Sequence, residues 1–585
     1  MKYRSGMAWI VLLMGGLAQA QEAPERLLSA NTQVYFRWDG LTAQRVAFEK
    51  TALSKIIFEE FGPLLDSLTK NLPSDEHSEL FKKLARNGLV AGVEVRGVLP
   101  PEVQATLILP NSGDHADALF DLVRKGFEQT GMEVEQIKIS GRVIHYIQDQ
   151  SMFTIWWVDG KDIVMSLTTD GPKAMLLRQA GRAGVDKNPN FQKLQQFQEF
   201  PTSARGYVDL ASLVKLVEPL SPEAAKAIDD LGLSDLQAIQ MYLGYDGPAL
   251  RTLVAIDAPQ PRKGLVKLLT GKPFNVDNLP PMPPEITSFT ATQLDLGTLY
   301  DVVLETVQRM APPAEKENIQ QQIAAINQMV GIDLRSELLG SLGNRVVMYN
   351  SKSAVWFLGL TAFIEVKDEA KLRKALTQLA RFGEKMSQGK MSVRTSNYHN
   401  VSLTSVYYDE ESFLVTPTFA IHDGWLVVGL YPQTVQDYIL RQKGEIPAWV
   451  PDAAMKQALN RLPKEFTSVA MSDPRPGILS LGGWVPLIGA ALASNQPDLK
   501  FDVSLIPNSY AVARHLFPTV SVSTDDGKTV RFQSWTAVPL ADTIANFDMM
   551  TTIMLMGAIT TVGQSATTTF HEIGEKLGEV PPPPK

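Results

Sequence analysis

Chemistry in this chain has to come from carboxylates, hydroxyls, amines and seven histidines, because there is no cysteine. Disulfides, thiolate nucleophiles, iron–sulfur clusters and cysteine-ligated zinc are therefore excluded. The histidines are His77, His115, His145, His399, His422, His515 and His571. No two lie within five residues, so no HxH strand pair or HxxxH helix pair exists to chelate a metal. His571-Glu572 opens like a zincin but has no second histidine at the fourth position, and His422, just before Asp423-Gly424, reads as an exposed turn residue.

Nucleophile and phosphate motifs are equally incomplete. Gly563-Gln564-Ser565-Ala566-Thr567 fails the GxSxG pattern at its last position. Ser212-Leu213-Val214-Lys215 places an amine one helical turn from a hydroxyl, as SxxK chemistry requires, but neither a Ser-Asp-Asn nor a Lys-Thr-Gly partner occurs. Gly527-Lys528-Thr529 resembles the end of a phosphate-binding loop, yet Val522 stands where the upstream glycine belongs. A hairpin turn between Val520/Val522 and Val530/Phe532 is the better reading. Asp409-Glu410-Glu411 lacks the ligand spacing of a calcium loop and reads as a solvated turn. Trp156-Trp157, with Phe153 and Ile155, would make a carbohydrate platform if one ring faced outward. Adjacent strand residues point to opposite faces, so one tryptophan belongs to the core and the other stays open. The sequence thus assigns no catalytic, cofactor-binding or metal-ligating residue, and no cofactor is expected.

The chain has 585 residues, 44% hydrophobic and 20% charged, with a formal net charge of −8. That is too apolar for a disordered chain, too mixed for a multi-span membrane protein and too acidic for a broad nucleic-acid surface. Residues 1–20 read as a secretory signal peptide. Lys2 and Arg4 precede the apolar run Met7 to Leu17, and Ala18-Gln19-Ala20 presents small residues before Gln21. The expected location is periplasmic or extracellular.

Five segments recur in the same order at offsets between 257 and 264 residues. Leu84 to Val90 resembles Leu342 to Val347, and the helical Ala118-Leu119 and Leu122-Val123 match Ala375-Leu376 and Leu379-Ala380. Asp159-Gly160 matches Asp423-Gly424, Leu177-Arg178-Gln179-Ala180-Gly181 matches Leu440-Arg441-Gln442-Lys443-Gly444, and Phe191 and Asp209 match Met455 and Asp473. A period this long is a domain rather than a solenoid repeat.

Within the unit, strands are expected at Val34 to Trp38, Gln104 to Leu109, Arg142 to Ile147, Phe153 to Val158 and Ile163 to Leu167, the last two joined at Asp159-Gly160. A helix from about Thr42 should stop at Gly62-Pro63, and two more carry apolar residues at Leu119, Leu122, Val123 and at Leu372, Ala375, Leu376, Leu379. Strands joined by tight turns form an antiparallel sheet, so the fold class is α+β. The expected organisation is a first unit over 21–258, a proline-rich linker over 259–284 lying mostly on the surface or at the seam between the units, and a second unit over 285–540 with an insertion within Pro474 to Pro518. The remainder, 541–585, carries an amphipathic helix from about Asp548 to Leu577 and a proline-rich tail. Leu555, Ile559, Val562, Ala566, Phe570, Ile573 and Leu577 trace one face of that helix.

The opening Leu28 to Gly40, the segment Asp423-Gly424-Trp425-Leu426-Val427-Val428-Gly429 followed by a short helix, and the tandem layout together resemble a group of exported bacterial proteins carrying a domain of unknown function. Copy one departs from that pattern, with Ser166 where the glycine would stand. The resemblance implies export and an α+β fold and transfers no site residue. A non-enzymatic binding or structural role in the envelope or outside the cell is the leading expectation, with an unidentified protein partner and no nucleic acid. A hydrolase whose site is assembled from distant residues is the first alternative. The second is a membrane-associated assembly protein in peripheral contact through the C-terminal helix.

Overall fold

Runs rich in valine, isoleucine, threonine and aromatic residues become the strands of this protein, and amphipathic stretches become the helices laid on them. The computed structural model describes residues 23–70, 82–97, 102–219, 221–351, 359–408, 415–482 and 503–538. The signal peptide expected over 1–20, the C-terminal helix and tail over 541–585, and the Asp409-Glu410-Glu411 cluster lie outside them, as do His77 and His571. The described chain is α+β, and every strand pairing within each unit is antiparallel. It forms two compact units, each discontinuous in sequence. The first gathers the described residues within Met1–Phe48, Leu68–Ala225 and Gln237–Gly244, and the second those within Glu49–Ser67, Lys226–Leu236 and Tyr245–Lys585.

The first unit carries β1 (Val34–Trp38), β2 (Leu89–Arg96), β3 (Glu102–Leu109), β4 (Glu135–Ile139), β5 (Arg142–Asp149), β6 (Met152–Asp159), β7 (Asp162–Thr168), β8 (Thr202–Asp209) and β9 (Ala238–Asp246). Across the sheet they run β9-β8-β1-β2-β3-β7-β6-β5-β4. Helix Ala116–Glu128 follows β3 and seals one end of the core, where Ala116 and Leu119 pack with Leu109 and Ile163. Helix Pro172–Ala180 starts on a proline at its first turn, where the missing N–H costs nothing. Helix Pro189–Gln196 is capped by Asn188, whose side chain accepts from the backbone N–H groups of Asn190 at 2.8 Å and Phe191 at 3.3 Å.

The second unit carries β10 (Ala249–Asp257), β11 (Ile286–Gln293), β12 (Leu342–Ser351), β13 (Thr361–Val366), β14 (Met391–Tyr398), β15 (Val401–Tyr408), β16 (Thr418–His422), β17 (Trp425–Gly429), β18 (Ser468–Ser472), β19 (Thr519–Asp525) and β20 (Thr529–Thr536). Their order is β10-β20-β19-β18-β11-β12-β13-β17-β16-β15-β14. One apolar core runs beneath this sheet, including Phe289, Val347, Phe363, Val427, Tyr438, Met455 and Trp535.

Two local expectations change. The helix from Thr42 does not run through to Gly62: residues 40–60 break into the short helices Gly40–Ala43, Arg45–Phe48 and Ala52–Lys55 and a π-helical turn, Ile56–Glu60. Gly62-Pro63 begins helix Gly62–Lys70, since proline is tolerated in a first turn. The hairpin between β6 and β7 turns at Gly160-Lys161, not at Asp159-Gly160, because Asp159 and Asp162 form its closing pair. The corresponding closing pair in the β16–β17 hairpin is His422 and Trp425, with Asp423 and Gly424 both at positive φ in the turn. The proline-rich stretch 259–284 contributes side chains to the interior of the second unit. Arg262, Val266, Phe274 and Met282 are buried, and Phe274 and Met282 join the second unit's core. Proline blocks regular pairing there but does not keep apolar side chains from filling core space.

Candidate functional site

Helix Glu369–Met386 follows β13, and the Asp368 carboxylate starts it by accepting from the Lys371 N–H at 3.0 Å. Leu372 and Ala375 are fully buried along one stripe. The neighbouring stripe (Arg373, Thr377, Arg381 and Glu384, at helical spacing) looks across to Val393 and Thr395 of β14, Ser402 and Thr404 of β15, and Phe419 of β16. Between them lies an open groove of about 310 Å³.

Its walls are fixed by hydrogen bonds. Arg373 donates from Nε to Glu369 Oε1 at 2.8 Å and from Nη2 to the Ile421 carbonyl at 3.1 Å. Glu384 Oε1 accepts from the Val393 N–H at 2.7 Å. Arg381 is an exposed residue of the groove lining, with no polar partner among the described residues. The lining mixes apolar side chains such as Phe419 and Ala420 with the hydroxyls of Thr377, Thr395, Ser402 and Thr404 and the charges of Arg373, Arg381 and Glu384.

In the first unit, helix Ala116–Glu128 lies over β5 and β6, and there the space is filled. The Phe120 ring sits 5.1 Å from His145, His145 stacks at 5.8 Å on Trp156, and Phe127 stacks at 6.2 Å on the same indole. Trp156 is fully buried, and so is Trp157. Neither indole is a carbohydrate platform: helix Ala116–Glu128 covers the face that the open question concerned. Burial, reinforced by the Arg124 charge and opposed by Asp117, holds the His145 imidazole below its usual range.

The first unit's buried carboxylates are occupied by arginines. Asp159 takes Arg26 at 2.6 Å and Arg142 at 2.5 Å, and Glu94 takes Arg182 at 2.9 Å. Arg178 bridges Glu102 at 2.8 Å and Asp170 at 3.0 Å, whereas Arg441 is buried with the Tyr349 hydroxyl at 3.2 Å. These pairs orient strands and helix ends, and each carboxylate has its countercharge.

The remaining residues singled out in the sequence fall apart as chemistry. The Ser212 hydroxyl donates to Asp209 at 2.9 Å and the Ser212 N–H donates to the same carboxylate at 3.0 Å, as a helix cap. Gly527-Lys528-Thr529 lies in the β19–β20 turn, where Asp526 accepts from the N–H groups of Lys528 at 2.8 Å and Thr529 at 2.7 Å. His422 is a half-buried strand residue rather than an exposed turn residue, because Asp423 and Gly424 alone make the turn. His399 sits in the β14–β15 turn beside Lys443 at 3.2 Å, and His115 precedes helix Ala116–Glu128.

One cluster could not be read from spacing. Glu59 and Glu60, in the π-helical turn, meet His515, with one ligand atom from each within 4.8 Å of the others. Their separation of 455 residues in the chain hides the group from any motif search.

No family model matches this chain, and no curated protein matches it. Among solved structures, "Structure of crystal form III of TP0453" aligns at 12% identity over 44% of this chain and 90% of that one, with a TM-score of 0.25. Crystal form I of the same protein aligns at 10% identity over 44% and 89%, with a TM-score of 0.24. At these scores the likeness carries no argument.

Proposed function

We propose that this is an exported, non-enzymatic binding protein made of two copies of one α+β unit, in which the second copy binds a protein partner through the groove beneath helix Glu369–Met386. The duplication is supported by strand order. The sequence β9-β8-β1-β2-β3-β7-β6-β5-β4 has the same course as β19-β18-β11-β12-β13-β17-β16-β15-β14, with the hairpins β6–β7 and β16–β17 at the same place.

The observation that carries the binding role is a difference between equivalent positions. By register, His145 opposite Trp156 corresponds to Thr404 opposite Phe419. Along the helices, the sequence match that pairs Leu119 with Leu376 sets Phe120 and Phe127 against Thr377 and Glu384. One copy fills its cleft with rings, and the other opens it with small and polar side chains. A copy that keeps the scaffold but gives up aromatic packing loses core stabilisation, and a binding function accounts for that loss.

The test is capture from the native envelope with the tagged mature chain and its Thr404→Trp variant, which refills the groove. Partners retained by the wild type and lost by the variant, at unchanged melting temperature, support the reading. Equal capture by both overturns the groove as the site. Export is tested separately by sequencing the N-terminus of the protein recovered from the envelope, which should begin at Gln21.

A further inference from the structure

We propose that Glu59, Glu60 and His515 form a divalent transition-metal site in the second unit, in which Arg514 stands in for the ion when none is bound. The donors are mixed: one imidazole nitrogen and two carboxylates, the set favoured by zinc and its neighbours. His515 Nε2 lies 2.9 Å from Glu60 Oε1 and 3.9 Å from Glu59 Oε2. An ion bonded at about 2.1 Å to each donor needs them roughly 3 to 3.5 Å apart, so the His515–Glu60 pair sits near that spacing and the exposed Glu59 side chain swings inward to complete the shell.

Both carriers are held by packing. Helix Ala52–Lys55 is capped by Thr51, which accepts from the Ser54 N–H at 3.1 Å, and continues into the π-helical turn that bears the glutamates. Ala52 and Ile56 pack with Val512 and Leu516, which flank His515 in the chain. The His515 and Glu60 side chains are 12% and 9% exposed, whereas Glu59 is 54% exposed. Two donors are thus fixed inside and a third stands at the mouth, leaving a side open to water ligands. Single π-helical turns of this kind occur frequently at functional sites.

The position between the donors already attracts positive charge. Arg514 donates from Nη2 to Glu60 Oε1 at 2.6 Å and from Nε to His515 Nε2 at 3.3 Å. Its side chain is 63% exposed, so it can swing into water and surrender its place at little cost. Metal and guanidinium therefore compete for the same oxygen and nitrogen.

The experiment titrates Co(II) and Zn(II) chlorides into the chelator-treated full chain, read by visible absorption for cobalt and by calorimetry for zinc. One ion per chain is expected, with affinity at least tenfold weaker in His515→Ala and in Glu60→Gln. Arg514→Ala should bind at least as tightly as the wild type, which an ordinary ion-pair role would not produce. Glu59→Gln changes an exposed residue, spares the fold, and should weaken binding while leaving the melting temperature of the metal-free chain unchanged. No cobalt spectrum in either the wild type or Arg514→Ala overturns the proposal. So does binding that is unaffected by both His515→Ala and Glu59→Gln.

Discussion

Arg262 grips Asp525 with both arms: Nη2 lies 2.7 Å from Oδ1 and Nη1 2.8 Å from Oδ2, with the two side chains 1% and 4% exposed. The guanidinium also donates from Nε to the Ala258 carbonyl at 2.7 Å and from Nη1 to Thr270 at 3.0 Å. This pair clamps the start of the proline-rich stretch onto the end of β19. Arg262→Met strands a buried carboxylate and should cost about 3–5 kcal/mol in chemical denaturation. The double variant Arg262→Met/Asp525→Leu removes both charges and should cost less than the sum of the single changes, which a double-mutant cycle measures.

Trp156 is the keystone of the ring stack in the first unit. Trp156→Ala removes the surface on which Phe127 and His145 rest. A loss of about 3–5 kcal/mol is expected, read as an early unfolding transition of the first unit. Phe419→Ala, in the second unit, borders the open groove and should cost distinctly less.

The pH response follows from His145. Its folded-state pKa is depressed, chiefly by burial, so the unfolded chain binds the proton more readily. The contribution to stability is therefore fully present above the unfolded value near 6.5 and is lost as pH falls from there toward the lower folded value. Wild type should show a melting temperature that declines through this window, and His145→Gln should show a shallower decline. A parallel decline in both proteins would assign the effect to other groups.

Helix Glu369–Met386 depends on its first turn. Asp368→Ala removes the acceptor for the Lys371 N–H and should cost about 1 kcal/mol in denaturant unfolding. Asp368→Asn should cost a few tenths, since the amide oxygen still accepts. The same comparison at Asp452, which accepts from the Met455 N–H at 2.7 Å, should give matching values.

Much of the fold was legible because it depends on local periodicity and turn chemistry. β3, β5, β6 and β7 fall within a few residues of where apolar runs and turn dipeptides place them. Leu372 and Ala375 are buried as helical spacing requires. The register of the β6–β7 turn escaped by one residue, because Asp-Gly and Gly-Lys both suit a two-residue loop and strand pairing alone chooses between them. The π-helical turn escaped as well, since its residues carry an ordinary helical pattern.

What the sequence by itself determined, then, is the α+β class, the antiparallel hairpins and the absence of any contiguous catalytic or chelating motif. Those properties reside in neighbours along the chain. Tertiary structure decided which distant groups meet. It buried both Trp156 and Trp157, folded the proline-rich stretch into the second unit, opened a groove beside Arg381 and set Glu60 against His515. Such contacts are chosen by whole-core packing, in which each side chain fills the space its nonlocal neighbours leave, and no short window of sequence contains both sides of that space.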